Sequence, residues 1–407
     1  MMERIATLMF LLLLHTSPLL CSGQKIWTLD MCIEYGLEHN LDIEYSRITS
    51  IQAKNELIRS RLEYLPTLNG TAALSIHPES QFTPSIGLSS ILFDGMRRYN
   101  STKRLKTSFE ISEVESERIR NELSISITKA YLDVLLSIEL ERVAKESYRT
   151  IEEQCLKQKI LFESGKSTYS SLLEMESQKS LEKVELVNSH NVLSINLISL
   201  THLMNLPFSE DFFISDQLVE NMPLIEWSDI ERIYKSALSL PYIRSAKLGV
   251  IQKGYDMKIA AGGISPTISI DMIYNLKMDI KQIGLTVTIP IFNKGQTLTS
   301  VKNATYEYRK SEIELQRRHQ ELYKDIQHRV QEAISYYHGH MAAIDRLNAA
   351  RTAYETIREK FEVGLVSPND YIRARNDLYE ASSQSIQTKY RYLFQIKILD
   401  LYQGEAR

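Results

Sequence analysis

The chain has 407 residues, with 48 Lys and Arg against 51 Asp and Glu and a net charge of -3. That near balance excludes a nucleic-acid surface built on bulk charge. Only 15 glycines and 10 prolines favour long uninterrupted helices over a loop-rich enzyme, and the three cysteines, Cys21, Cys32 and Cys155, are too scattered for a disulfide framework.

Residues 1–23 read as a secretory signal peptide. Arg4 gives the positive start, Leu8 to Leu14 the apolar run, and Cys21-Ser22-Gly23 the small cleavage residues, so the mature chain is expected to begin at Gln24. Cys21 would anchor the protein if acylated, although Leu20 stands where that signal wants a small residue. No later stretch holds the roughly 18 apolar residues of a spanning helix. Any membrane crossing by the exported chain is therefore expected to use strands.

A first unit is expected over 24–206. Leu29 to Arg61 has a helical pattern that Thr28 or Asp30 can cap. The period then switches to two in a strand pair over 67–92. Leu68, Gly70, Ala72, Leu74 and Ile76 alternate with Asn69, Thr71, Ala73 and Ser75. Phe82, Pro84, Ile86, Leu88 and Leu92 alternate with Thr83, Ser85, Gly87 and Ser89. A long helix over 97–162 follows, then a turn at Gly165 and a return helix over 169–205. The linker 207–227, rich in Phe and acidic residues, is expected to pack sideways against the helices.

A second unit over 228–407 repeats this plan, with a strand pair over 266–292, a long helix over 296–361, a turn at Gly364 and a return helix over 369–403. Ile268, Ile270, Met272 and Tyr274, and then Ile283, Leu285, Val287, Ile289 and Ile291, mark its apolar strand face. Pro66 and Gly95 match Pro266 and Gly295 at a spacing of 200, and Phe93 and Gly165 match Phe292 and Gly364 at 199, which is the signature of an internal duplication. Gly165 and Gly364 suit the left-handed close of a helix, with Ser167 and Ser367 as caps of the next. Each long helix would extend on the order of 100 Å at 1.5 Å per residue. Val301, Ala304, Tyr308, Leu315, Leu322, Ile326, Val330, Ala333, Tyr337, Met341 and Ile344 form a narrow coiled-coil seam.

Each strand has about the ten residues that cross a bilayer when tilted, one face apolar and the other small and hydroxylated. A half-buried soluble sheet alternates in the same way. Four strands cannot close a barrel, and open edges are forbidden in lipid. Three copies give twelve strands and room for an aqueous bore. The hairpins would close outside the cell, at His77 to Gln81 and at Leu276 to Lys281.

Tyr64-Leu65-Pro66, Leu92-Phe93-Asp94-Gly95, Ala130-Tyr131-Leu132, Phe162-Glu163-Ser164-Gly165, Pro290-Ile291-Phe292 with Gly295, and Phe361-Glu362-Val363-Gly364 appear in that order. In this order and duplication the chain resembles the TolC-like outer-membrane efflux family over essentially its whole mature length. The resemblance implies a mainly α fold with membrane β: a long-helix α-barrel in the periplasm joined to a transmembrane β-barrel of four strands per chain, twelve in a homotrimer. It implies a passive exit duct of a tripartite efflux or type I secretion system, without catalysis or cofactor. The implied partners are a periplasmic adaptor, an inner-membrane pump of RND, ABC or MFS type, and outer-membrane lipid.

The turns at Gly165-Lys166 and Gly364-Leu365 are expected to dock the adaptor. The family's aperture is often ringed by acidic residues just after the second turn. Asp370 matches the first of these, whereas Arg373 stands where a second aspartate is frequent, so three copies would make a ring of mixed charge. The charged latch of some members is unmatched, with Ser171 and Val366 at its positions. On its own residues Asp370 also reads as a solvated first-turn carboxylate favoured by the helix dipole.

Other motifs carry little. Gly165-Lys166-Ser167-Thr168 lacks the earlier glycine and the preceding strand of a phosphate loop. His338-Gly339-His340 points two imidazoles to different sides of a helix, and no metal or catalytic set is expected. Tyr64, Phe93 and Phe292 fall where strands meet helices and suit an interfacial belt or simple packing. A periplasmic coiled-coil adaptor or scaffold without a pore is the alternative, though adaptors carry one helical hairpin and this chain has two.

Overall fold

The computed structural model describes residues 26–75, 81–208, 212–215 and 224–403. The expected signal peptide, the tip of the first strand pair and most of the 207–227 linker lie outside them. Among the described residues the elements are β1 (Ile26–Trp27), α1 (Leu29–His39), α2 (Leu41–Leu62), β2 (Thr67–Ser75), β3 (Gln81–Phe93), α3 (Arg97–Glu163), α4 (Tyr169–Leu203), β4 (Phe213–Ile214), α5 (Asp229–Ala237), α6 (Pro241–Gly262), β5 (Thr267–Asn275), β6 (Ile280–Thr288), α7 (Gln296–Glu362) and α8 (Pro368–Gln403).

The copies match element by element. Both α2 and α6 have 22 residues, and both α3 and α7 have 67. The offset is 200 through β2 and β5 and 199 from β3 and β6 onward, because the second hairpin turn is one residue shorter. Gly95 therefore corresponds to Lys294, and Met96 to Gly295, which corrects the expected pairing of Gly95 with Gly295. Both copies enter the long helix through two left-handed residues, Gly95 and Met96 at φ 69° and 65°, and Lys294 and Gly295 at 56° and 79°.

Several boundaries differ from the sequence reading. The first helix breaks at Asn40, whose side chain accepts from Asp42 N at 2.8 Å and donates to Leu203 O at 3.0 Å. The amide thus caps α2 and ties it to the end of α4. The second hairpin turn spans 276–279, so Ile280 and Lys281 belong to β6. Asn275 Oδ1 accepts from the N–H groups of Lys277 and Met278, 3.1 Å each, and Asp279 takes φ 52°, which tightens the turn. β6 ends at Thr288, short of Ile289 and Ile291. Thr168 caps α4 by accepting from Ser171 N at 3.2 Å, while Ser167 accepts from Gln158. Ser367 caps α8 as expected, accepting from Asp370 N at 3.2 Å.

α3 lies against α1, α2, α4, α6 and α8, and α7 against α5, α6 and α8. One core gathers around Ile127, Tyr131 and Leu200, and its counterpart around Ile326, Val330 and Leu399. The Tyr131 hydroxyl reaches the carbonyls of Ser215 and Trp27, at 2.6 and 3.2 Å, and holds the β1–β4 pair sideways on the bundle. On α7, His340 is buried and bonds Thr388 at 3.2 Å, while Met341 is exposed. Ile326, Ala333 and His340 are buried at steps of seven, so the seam keeps its heptad through the histidine where the sequence reading took Met341.

The copies meet where the sheet joins the helices. A Cβ on Gly262 would stand 2.6 Å from Gly95 O, and one on Gly95 would stand 2.5 Å from Gly262 O. Gly95→Ala combines that overlap with a left-handed backbone and should destabilise by about 2 kcal/mol. Gly249→Ala, in open space on α6, should be neutral or stabilising by up to about 1 kcal/mol. Thermal unfolding of the detergent-solubilised protein compares them.

Candidate functional site

The strands form one antiparallel sheet in the order β2-β3-β5-β6. Its register sorts the side chains. Leu68 faces Leu88, Leu88 faces Met272, and Met272 faces Ile283, an apolar row across all four strands. On the other face Thr67, Ser89, Asp271 and Gly284 align. There Ser89 Oγ donates to Asp271 at 2.6 Å, and the hydroxyls of Thr71 and Ser85 are 2.8 Å apart. Leu68 is 69% and Ile283 72% exposed, so among the described residues nothing covers these ends of the apolar row. A face of this size turned to solvent marks a lipid or protein contact. The apolar alternation placed Leu92 on this face. It is instead the extra residue of a bulge, where Ile91 faces Ser269 and Phe93 faces Ile268, and Phe93 takes the apolar position.

The sheet is fixed to the helices at its inner end. The Arg98 guanidinium donates to the carbonyls of Glu63 and Ile91, approaches Asp94 at 3.5 Å and lies 5.1 Å from the Tyr64 ring centroid. It thus ties the end of α2, the end of β3 and the start of α3. Phe292 stands largely exposed beyond the end of β6.

At the far end, the turns at Gly165 and Gly364 are exposed and left-handed, with φ 75° and 76°, and Lys166 and Leu365 project beside them. Asp370 lies at the start of α8. Its Oδ2 accepts from Ser367 Oγ at 2.7 Å and Ser367 N at 3.3 Å, and these bonds, with the charge of nearby Arg373, hold its pKa below the ordinary value. The structure thus gives Asp370 a capping role, and Arg373 is exposed three residues on. Ser171 is engaged with the Thr168 cap.

Sequence reasoning missed the ion pair beside this tip. Arg375 of α8 and Glu182 of α4 are both buried and bonded directly. Arg375 also donates to Ser147 Oγ at 2.7 Å and Asn376 Oδ1 at 2.9 Å, and Gln178 donates to Glu182 at 3.0 Å. Burial raises the Glu182 pKa, but the bond to and charge of Arg375 outweigh it, and the net value falls below 4.5. The tip core next to it, Ile151, Cys155, Met175, Tyr354 and Tyr371, draws on both copies. Phe361 stacks on Tyr371 at 4.7 Å, and the Tyr354 and Tyr371 hydroxyls meet at 3.1 Å. Among the described residues no group of three His, Cys, Asp or Glu could hold a metal, and no helix is long and apolar enough to cross a membrane.

Glu182→Gln leaves the buried guanidinium without its counter-charge and should destabilise by roughly 3–5 kcal/mol, whereas replacing both partners by Leu should be close to neutral. Thermal unfolding of the three proteins checks this. Because the folded pKa of Glu182 is depressed, its stabilisation is full above about 4.5 and is lost as pH falls through the lower folded value. A titration to acid should show that loss in the parent and not in the double-Leu protein.

Residues 239–404 match the model of the outer membrane efflux protein family. The chain is 23% identical to the alkaline protease secretion protein AprF of Pseudomonas aeruginosa over 79% of its own length and 69% of that protein's. It is 22% identical to the outer membrane efflux protein BepC of Brucella suis, over 89% and 82%. Its fold matches the outer membrane channel CmeC of Campylobacter jejuni with a TM-score of 0.80, at 19% identity over 92% of this chain and 85% of that one.

Proposed function

We propose that the chain is a member of the TolC-like outer membrane efflux family, to whose model and relatives it is similar, and that three copies form its exit duct, carrying solutes passively across the outer membrane. Relatives of this kind are named as efflux and protease secretion proteins, not as enzymes. The observation that carries the reading is the uncovered apolar row across a four-stranded sheet whose other face is hydroxylated. Lipid covers such a row, and water fills a bore lined by Thr, Ser and Gly. The sheet sits in the outer membrane, and the long helices extend from one side of it into the periplasm. The alternative of a scaffold without a pore leaves the apolar row with no partner.

The exposed turns Gly165-Lys166 and Gly364-Leu365 are the surface for a periplasmic adaptor that couples the duct to an inner-membrane pump. Asp370 and Arg373, beside the second turn, would line the inner aperture as a ring of mixed charge. The test is growth on a toxic-compound panel of a strain whose only copy is a variant. Gly364→Trp should reduce resistance to that of the deletion strain while the membranes still yield a three-chain species. Gly364→Ala, which strains the same backbone without the bulk, should keep most of the resistance. Full resistance with Gly364→Trp would remove this turn from the docking surface.

A further inference from the structure

The two copies close one joint in different ways. In the first copy α4 ends where α2 begins, and side chains bridge the two ends. Asn40 donates to Leu203 O at 3.0 Å, and Asn205 donates to His39 O at 3.2 Å. In the second copy α8 and α6 take those places. Leu240 stands where the first copy has Asn40, so that bridge is lost, and Pro241 follows it with no N–H to offer. Between Leu401 and Tyr402 of α8 and Leu240, Pro241 and Tyr242 of α6 lies a cavity of about 500 Å³, flanked by α3 and α7. That volume falls within the range of small-molecule sites, roughly 300–1,000 Å³.

The lining combines apolar walls with acid. Ile125, Leu240, Pro241, Leu322 and Leu401 supply the walls, and Glu122, Glu321 and Asp325 stand against one lining arginine, Arg118. Glu122 and Glu321 are counterparts in the duplication and meet at this one cavity, whereas Asp325 belongs to the second copy alone, the first having Ser126. Glu321 is largely compensated: it accepts from Tyr242 at 2.7 Å, with Arg317 and Arg318 at 3.6 and 3.8 Å. Asp325 and Glu122 are engaged on one oxygen each. Tyr402 and Arg329 both donate to Asp325 Oδ2, at 2.5 and 2.9 Å, and Arg118 bonds Glu122 Oε1. Among the described residues, Asp325 Oδ1 and Glu122 Oε2 accept no hydrogen bond. Arg118 is itself bound to Glu115 as well as Glu122. Arg318 and Arg329 lie against the rings of Tyr242 and Tyr402, 4.8 and 5.7 Å from the centroids, and neither lines the cavity. The uncompensated charge at the cavity is therefore negative.

We propose that this cavity binds a small lipophilic cation, an apolar body carrying one ammonium or phosphonium charge, with the body against Ile125, Leu240 and Leu322 and the charge toward Asp325 and Glu122. Every wall comes from one chain, so the site does not depend on the trimer reading above. An anion would meet two carboxylates with unfilled oxygens. A neutral solute would take water from those oxygens and return no charge or bond. A bound cation spans α6 and α8 where the first copy has its asparagine bridges, and it therefore stabilises the folded chain.

The probe is tetraphenylphosphonium, followed by isothermal titration and by thermal unfolding of the full chain in a non-ionic detergent. Tetraphenylborate, of the same shape and opposite charge, controls for partition into the detergent. Tetraphenylphosphonium should saturate at one per chain and raise the unfolding temperature, and tetraphenylborate should do neither. Asp325→Asn should weaken binding about tenfold, and the more exposed Glu122→Gln several-fold. Ile125→Trp fills the cavity from a residue that joins neither core, and it should abolish binding while the unliganded protein melts as the parent does. Glu122 is exposed, so its variant keeps the fold even where Asp325→Asn does not. Equal binding of the two ions overturns the proposal, as does unchanged binding in Ile125→Trp or in both acid variants. Binding that appears only after removal of residues 404–407 would make that tail the occupant and overturn it too.

Discussion

In hydrocarbon an unpaired backbone N–H or C=O has no water to bond, and that constraint divides this molecule. A helix satisfies its own backbone and can stand alone in the periplasm at any length. A sheet cannot, and among the described residues this one has an open edge on β2 and another on β6. Its apolar row invites lipid, but its edges forbid lipid until they pair. A single chain therefore carries a membrane face that it cannot use alone. The same requirement that draws the sheet into the bilayer draws further copies of the chain beside it, and a closed barrel is the form that leaves no edge.

The helical part is held in two different ways. Near the middle, each copy builds its own core at matching positions, around Leu123 and Ile127 in one and Leu322 and Ile326 in the other. At the tip there is a single core, to which α3, α4, α7 and α8 all contribute. Arg375 and Glu182 lie beside it and join the two hairpins by a contact that has no duplicate, since Glu176 and Ala381 occupy the corresponding positions. The two hairpins are therefore joined close to both turns rather than standing as separate fingers.

The large features were legible because each has a one-dimensional signature. The strands alternate over most of their length, and the helices lack proline through 67 residues. The missed features arise from contacts across elements. Asn40 interrupts a helical pattern that runs on without a break in sequence, and only its bond to Leu203 reveals the reason. Leu92 has the right parity along its own strand, but the bulge is set by the neighbour, β5. His340 is polar and Met341 apolar, so composition favours the wrong residue at a position that the seven-residue step gives to His340. Arg375 and Glu182 look like ordinary surface charges on two return helices until those helices are packed.

In the proposed aperture, the capping bonds of Asp370 would serve the ring as well as the helix. The cap engages Oδ2 with the Ser367 hydroxyl and N–H. The other oxygen remains free, and the reciprocal bond from Asp370 N to Ser367 fixes the turn that carries the carboxylate. A charge held in one orientation appears at the same height in every copy, which a ring requires and a freely rotating side chain does not provide. Arg373 lies close enough to depress the carboxylate pKa, and in a ring of three copies its guanidinium would offset much of the negative potential. Such an aperture would sort solutes by width more than by charge.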